Sequence, residues 1–310
     1  MDALIYYFVL GLVRLLQSLP LTFVAWLGRR LGALAWWLDV RHRRVTLANL
    51  TLAFGNEKSL AEIRALAHEN FRRLGENYAS AVKTASMTPA DLARHVQYVG
   101  VRKIMPASDM EPLASRVFAI GHFGNFELYA WVGHFAPGFK SITTYRALRQ
   151  PRLDALLRSL REKTGCRVFE RRKDGEALRK VMHEPGLMVG LLCDQHAGRA
   201  GRWLPFFGHE CSTNAAPAVL ALRFHMPLHT AICFRTGLAR WRVEIGDEIP
   251  THQSGARRPV EDIMLDVNRA FELAIRRDPA NWFWVHRRWK TEKVRPRPQA
   301  PKPPTDTLDE

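Results

Sequence analysis

Apolar and polar positions along this chain follow two periods, and the switches between them mark its elements. Ser59 and Glu62 form a capping-box pattern, and Leu60, Ile63, Ala67, Phe71 and Leu74 then recur at helical spacing, predicting a helix to about residue 85. From residue 117 the pattern alternates. It predicts strands at 117–120, 139–145, 166–169 and 187–192, with helices at 124–134, 150–163 and 174–183 between them. A long loop is expected to about residue 213, then strands Pro227–Phe234 and Trp241–Ile245 and a helix over 260–277. Strand and helix in alternation argue an α/β sheet covered by helices, and no internal repeat is visible.

The first forty residues break this alternation. Residues 3–13 are an uninterrupted apolar run, Arg14 follows, and residues 15–28 are again mostly apolar but contain Gln17, Ser18 and Pro20. Neither piece supplies the roughly 20 consecutive apolar residues that a spanning helix wants. A tilted or interfacial anchor and a span are both open, as is a helical hairpin buried in the core. Asp2 opens the segment and no small-residue cleavage site follows, so it is expected to stay attached. Trp26, Trp36 and Trp37 with Arg29, Arg30 and Arg41–Arg44 suit contact with lipid headgroups, and the arginines place the remainder on the cytoplasmic face. The expected division is an anchor over 1–45, a catalytic domain over 46–290, and a disordered tail over 291–310, where five prolines gather.

Composition narrows the partners. The 310-residue chain is 47% hydrophobic, ample for a core, and its formal charge of +16 favours anionic lipid, nucleic acid or an acidic carrier protein. Cys166, Cys193, Cys211 and Cys233 lack zinc-ribbon or disulfide-framework spacing and read as reduced, partly buried thiols. No His-Glu-x-x-His or comparable spacing supports a metal site, and no recognised nucleic-acid module is visible.

The candidate chemistry lies in Val117-Phe-Ala-Ile-Gly-His-Phe-Gly-Asn-Phe-Glu127, where an apolar strand runs into Gly-His-x-Gly-Asn and then a helical pattern. Five residues on a regular helix turn through roughly 500°, which leaves two side chains about 140° apart. His122 is therefore expected before the helix, with Glu127 reaching back to it. A carboxylate on one imidazole nitrogen fixes the tautomer and supports the imidazolium formed on proton uptake. With no serine or cysteine nucleophile nearby in sequence, the pair suggests deprotonation of a substrate hydroxyl. A buried histidine bonded to a neighbouring acid is the bland alternative.

Gly121-His-Phe-Gly-Asn-Phe-Glu127 resembles the His-x4-Asp/Glu motif of membrane acyltransferases, in the branch of the late lipid A biosynthesis acyltransferases. Thr144-Tyr-Arg-Ala-Leu-Arg-Gln-Pro151, Cys193-Asp-Gln-His-Ala-Gly198 with Leu204-Pro-Phe-Phe-Gly208, and Asn281-Trp-Phe-Trp-Val-His-Arg-Arg-Trp-Lys290 fit that branch in order and spacing. Asn49-Leu-Thr-Leu-Ala-Phe54 resembles a segment these proteins carry after their anchor. Ala147 and Gln150 stand where a proline and an asparagine are commoner, which bears on acceptor preference.

The resemblance implies a mixed central sheet of glycerolipid-acyltransferase type, an N-terminal hydrophobic anchor and no cofactor. It also implies an inner-membrane enzyme moving an acyl chain from acyl carrier protein to a hydroxyl of a lipid A precursor. His122 and Glu127 are then the catalytic residues. Arg146, at a strand end, is expected to clamp phosphate or steady developing charge, and Asp194 with Gln195 to wall the site or orient a catalytic group. Backbone amides near Gly121 and Asn125 are expected to meet the oxyanion or an acceptor phosphate. Residues 198–203, with two glycines and two arginines, read either as a flexible loop or as a place where amides and cations approach an anionic group. Trp282, Trp284 and Trp289 read equally as an interfacial patch or as core packing. Another acceptor is open: a lysophospholipid, an ornithine lipid or a phosphoinositide mannoside. A non-enzymatic basic protein binding membrane or nucleic acid is the reading of a different class.

Overall fold

A computed structural model describes residues 2–106, 108 and 111–290; the tail expected over 291–310 lies outside them. Four helices come first: α1 (Asp2–Ser18), α2 (Leu21–Leu38), α3 (Val40–Phe54) and α4 (Leu60–Thr84). The capping box at the start of α4 forms as the sequence indicates, with Ser59 and Glu62 each bonding the other's backbone N–H. A short α5 (Pro89–Leu92) leads to β1 (Val96–Val99). Next come β2 (Arg116–Ile120), a 3₁₀ segment Phe126–Trp131 running into α6 (Val132–Phe135), β3 (Lys140–Tyr145) and α7 (Pro151–Glu162). The chain continues through β4 (Arg167–Glu170), α8 (Gly175–Val181) and β5 (Leu187–Leu192). A hairpin of β6 (Arg202–Phe206) and β7 (His209–Thr213) and helix α9 (Ala216–Phe224) follow. Last are β8 (Leu228–Gly237), β9 (Arg240–Ile249), the two-residue strands β10 (His252–Gln253) and β11 (Ala256–Arg257), and α10 (Val260–Arg277).

Seven strands form one sheet in the order β1-β9-β8-β2-β5-β3-β4. Only the β8–β9 pair is antiparallel, so the sheet is mixed and helices cover both faces. Side chains alternate across each strand. Val117, Ala119, Val189 and Leu191 enter the cluster shared with α3, α4, α9 and α10. Phe118, Ile120 and Met188 enter the opposite cluster, which includes residues of α2 and of the 126–135 segment. Because β2, β3, β4 and β5 run parallel, their carboxyl ends share one edge of the sheet, the usual place for a ligand crevice in such folds.

Two differences from the sequence expectation bear on the site. The helix expected over 124–134 begins as a 3₁₀ segment, because Gly124 takes φ +50° and its N–H is committed to the Asn281 carbonyl. The long loop contains the β6–β7 hairpin, whose two-residue turn puts Phe207 and Gly208 at φ 52° and 72°. Pro205 inside β6 hid that strand, since proline reads as a strand breaker away from an edge.

Among the described residues, no helix is long and apolar enough to cross a membrane. Helix α2 packs on α4 through glycines. A Cβ on Gly28 would lie 2.4 Å from the Gly75 carbonyl oxygen, and one on Gly32 would lie 2.2 Å from that of Phe71. Beside this contact the fully buried Glu76 takes Arg29 at 3.3 Å, Arg235 at 2.8 Å and the Ala239 N–H at 3.0 Å. The outward sides of α1 and α2 remain apolar and exposed, with Leu4, Phe8, Leu12, Trp26, Leu34 and Trp37 among the residues open to solvent.

Candidate active site

His122 sits just past the end of β2, and the carboxylate on its ring is Asp194, just past the end of the neighbouring β5. Imidazole Nδ1 lies 2.8 Å from Asp194 Oδ1, and the His122 backbone N–H donates to Oδ2 at 2.8 Å. The Trp282 indole N–H also donates to Oδ2 at 2.8 Å. Three donors thus converge on a carboxylate that is 2% exposed. Burial pushes the Asp194 carboxyl up, but the His122 charge and the hydrogen bonds from His122 and Trp282 outweigh it and hold the group below its ordinary value. An ionised Asp194 accepts from Nδ1–H and leaves the Nε2 lone pair as the basic site.

Trp282 reaches Asp194 because buried amides far away in sequence hold its backbone. Asn49 Nδ2 donates to the carbonyls of Trp284 and His286 at 2.8 and 2.7 Å, and Asn70 Nδ2 to those of Ala280 and Trp282 at 2.9 and 2.6 Å. The segment is neither a strand nor an interfacial patch at Trp282 and Trp284, both of which are fully buried. Phe283 turns outward against the imidazole with ring centroids 5.4 Å apart, and Phe126 flanks it at 4.8 Å.

Glu127 does not reach back to His122. Its carboxylate takes a two-pronged ion pair from Arg161 on α7, at 2.9 Å from Nε and 2.6 Å from Nη2. Burial pushes Arg161 down, but the bonds from Glu127 more than offset it, so the guanidinium stays charged. The 3₁₀ start of this segment directs Glu127 toward α7, whereas the expectation assumed a regular helix beginning beside His122.

Above the sheet edge lies a cavity of about 890 Å³, near the upper end of the ~300–1,000 Å³ usual for ligand sites. His122, Glu127, Arg146, Arg161, Gln195 and His286 bring its polar groups. The Gln195 amide nitrogen lies 3.4 Å from His122 Nε2, and Arg146 is exposed at the rim. Burial pushes the His286 imidazole down to about 4, against the charge of Asp194, so the ring is neutral and its Nε2 accepts the His196 N–H at 3.0 Å. The one cysteine on the wall, Cys166, is pushed up to about 12 by burial, which keeps its thiol protonated. All four cysteines are free and buried.

Gly121 and Asn125 lie in the turn behind the cavity wall. The N–H groups of His122, Phe123 and Gly124 are committed to Asp194, to the Gly121 carbonyl and to the Asn281 carbonyl, so this turn does not offer them to an oxyanion. The Asn125 carboxamide is buried with neither side-chain atom hydrogen-bonded. Sequence reasoning missed Trp282, Arg161, Asn49 and Asn70 as supports. Asn49 and Trp282 stand inside the quoted motifs, yet nothing local signals that the two segments meet.

An imidazole fixed by a buried carboxylate on the wall of a large, mostly apolar cavity is an arrangement able to take a proton from a bound hydroxyl. The chain matches the family described as bacterial lipid A biosynthesis acyltransferase over residues 1–291, and it belongs to that family. It is 26% identical over 298 residues to the lipid A biosynthesis palmitoleoyltransferase of Escherichia coli (strain K12), covering 93% of this chain and 92% of that protein. A lipid A biosynthesis acyltransferase of Shigella flexneri matches at the same values. The E. coli lauroyltransferase is 25% identical over 289 residues, covering 91% and 90%. The protein is accordingly an acyltransferase.

Proposed function

We propose that this enzyme transfers a fatty acyl chain from an acyl-carrier-protein thioester to a hydroxyl of a lipid A precursor at the cytoplasmic face of the inner membrane. The observation that carries the reading is the 2.8 Å contact between His122 Nδ1 and Asp194 at the mouth of an apolar cavity, in a member of this family. His122 Nε2 takes the hydroxyl proton as the oxygen attacks the thioester carbonyl. The tetrahedral intermediate collapses, the C–S bond breaks, and the imidazolium returns its proton to the leaving thiolate. Asp194 orients the imidazole and supports its charge, the role assigned to Glu127 on sequence grounds. Glu127 instead holds Arg161 on the opposite wall, and with Arg146 that cation supports binding of an anionic headgroup.

Residues 1–45 act as a membrane-seating element, with the catalytic domain over 46–290. The N-terminus of α1 lies beside the cavity rim, since Gln150 donates to the Asp2 carbonyl at 2.9 Å and Arg152 lies over the Tyr6 ring. Lipid met by the exposed face of α1 is therefore near the opening. The formal charge of +16 suits both anionic lipid and an acidic carrier protein. The test is acceptor profiling by mass spectrometry with lauroyl- and palmitoleoyl-carrier-protein donors. Acyl gain on a Kdo-lipid A precursor above that on lysophospholipid, ornithine lipid or phosphoinositide mannoside is the expected result. Preferential gain on one of the latter moves the acceptor while keeping the chemistry.

A further inference from the structure

The cavity is one space with two apolar walls that belong to opposite faces of the sheet. Phe118, Ile120, Met188 and Gly190 share one face, where the cavity extends to Ala231, Val243 and Ile245. Ile142 and Leu191 belong to the other face, where Leu178 of α8 and Val219 and Leu220 of α9 complete a second wall. Strand alternation makes this split a necessity, because Leu191 lies between Gly190 and Leu192 yet points away from both. The two walls meet at the carboxyl edge, at His122, Arg146 and Gln195.

We propose that the cavity holds two hydrocarbon chains at once, one on each side of the sheet edge. The transferred acyl chain lies in the arm toward β9, and a chain already carried by the acceptor lies in the arm against α9. This rests on the reading of the site as an acyl-transfer centre. The β9 arm is the enclosed one: Val243 and Ile245 are 1% and 4% exposed, and it runs beneath Phe126, which packs on His122. A thioester carbonyl placed for attack at His122 directs its chain down that face. The α9 arm is open, with Val219 45% exposed. Beside it stand Arg146, just past the end of β3, and Arg171, just past β4; neither forms an ion pair with a carboxylate among the described residues. An amphiphile with an anionic head and an apolar tail matches that combination of cations and apolar wall.

Binding and turnover separate the two claims. The purified full chain is irradiated with a twelve-carbon fatty acid bearing a terminal diazirine, and the adducts are mapped by peptide mass spectrometry. Adducts are expected on both the β9 peptide around Val243 and the α9 peptide around Val219. Gly190→Val should remove the first set only; a β-branched residue suits a strand, and its Cβ would meet the flexible Ile120 Cδ1 at 3.3 Å and the Ile142 carbonyl oxygen at an ordinary 3.9 Å. Val219→Trp should remove the second set only, with Leu178→Trp as the substitute should that variant not fold. Adducts in a single arm, or one variant abolishing both sets, would overturn the two-chain cavity whether or not the protein transfers acyl groups. In the transfer assay, Val219→Trp should raise the acceptor KM several-fold while the donor chain-length profile stays fixed, and Gly190→Val should shift that profile toward shorter donors. The opposite pairing of effects would overturn the assignment of chains to arms.

Discussion

At the scale of single residues, two carboxylates compete for the role of imidazole partner, and geometry separates them. Asp194 is in contact with His122 and buried behind it, whereas Glu127 is engaged by Arg161. Asp194→Asn keeps the shape but loses the acceptor that selects the Nδ1–H tautomer. It should lower kcat by about 10³-fold or more, the scale seen when a buried orienting acid is lost elsewhere. Glu127→Gln should act through Arg161, raising the acceptor KM and lowering turnover less, with Arg161→Gln giving the same phenotype and the double variant little more. A larger kcat loss for Glu127→Gln than for Asp194→Asn, measured under saturating substrates, would return the orienting role to Glu127. The His122 position was legible because a Gly-flanked histidine after an apolar strand marks a strand end. Asp194 was legible at its strand end as a residue to wall the site or orient a catalytic group, but its pairing with His122 was not, because the two stand 72 residues apart and are brought together by the pairing of β2 with β5.

At the scale of elements, most periodic segments were readable to within a residue or two: β5 and α10 have the bounds their patterns indicate, and α4 begins at its capping box, whereas β8 and β9 run on to Gly237 and Ile249, beyond the expected ends at Phe234 and Ile245. What escaped were elements whose cues conflict, such as β6 with its internal proline, the short β1, and α9. The tight α2–α4 contact was equally invisible, because a glycine in an apolar helix does not announce what approaches it. That contact carries its own prediction. Gly28→Ala forces a Cβ to within 2.4 Å of a backbone oxygen and should destabilise by about 1–3 kcal/mol, whereas Gly11→Ala, with nothing within 4 Å, should stabilise α1 slightly. Thermal unfolding of the two variants checks the contrast; equal midpoints would mean that α2 is not locked to α4. Deleting residues 1–40 would remove half of this contact, so truncation is a poor probe of membrane seating.

At the scale of the whole molecule, an exposed apolar helix, a basic surface and a cavity opening beside α1 occur together. Exposed apolar area of this extent on a soluble surface is costly, and burial in lipid contributes roughly 1.5–3 kcal/mol for each large side chain. The variant Leu4→Asp/Phe8→Asp/Leu12→Asp should therefore bind anionic vesicles at least about tenfold more weakly in co-sedimentation, with its fold intact by circular dichroism. Undiminished binding would place the lipid contact elsewhere on the surface. The sequence carried the charge and the apolar runs in plain view. Whether those runs paired with each other, with the core or with solvent depended on α4, whose Gly75 meets the backbone of α2 at Gly28 and Gly32.

The central claim is that His122, fixed by Asp194, is the base for acyl transfer. It is tested most directly by incubating the parent and His122→Ala proteins with acyl-carrier-protein thioester and a Kdo-lipid A precursor, and weighing the acceptor by mass spectrometry. The parent should add one acyl mass, and the variant, with unchanged circular dichroism, should be slower by at least about 10³-fold. Transfer by a folded His122→Ala protein at a rate near that of the parent would contradict the account.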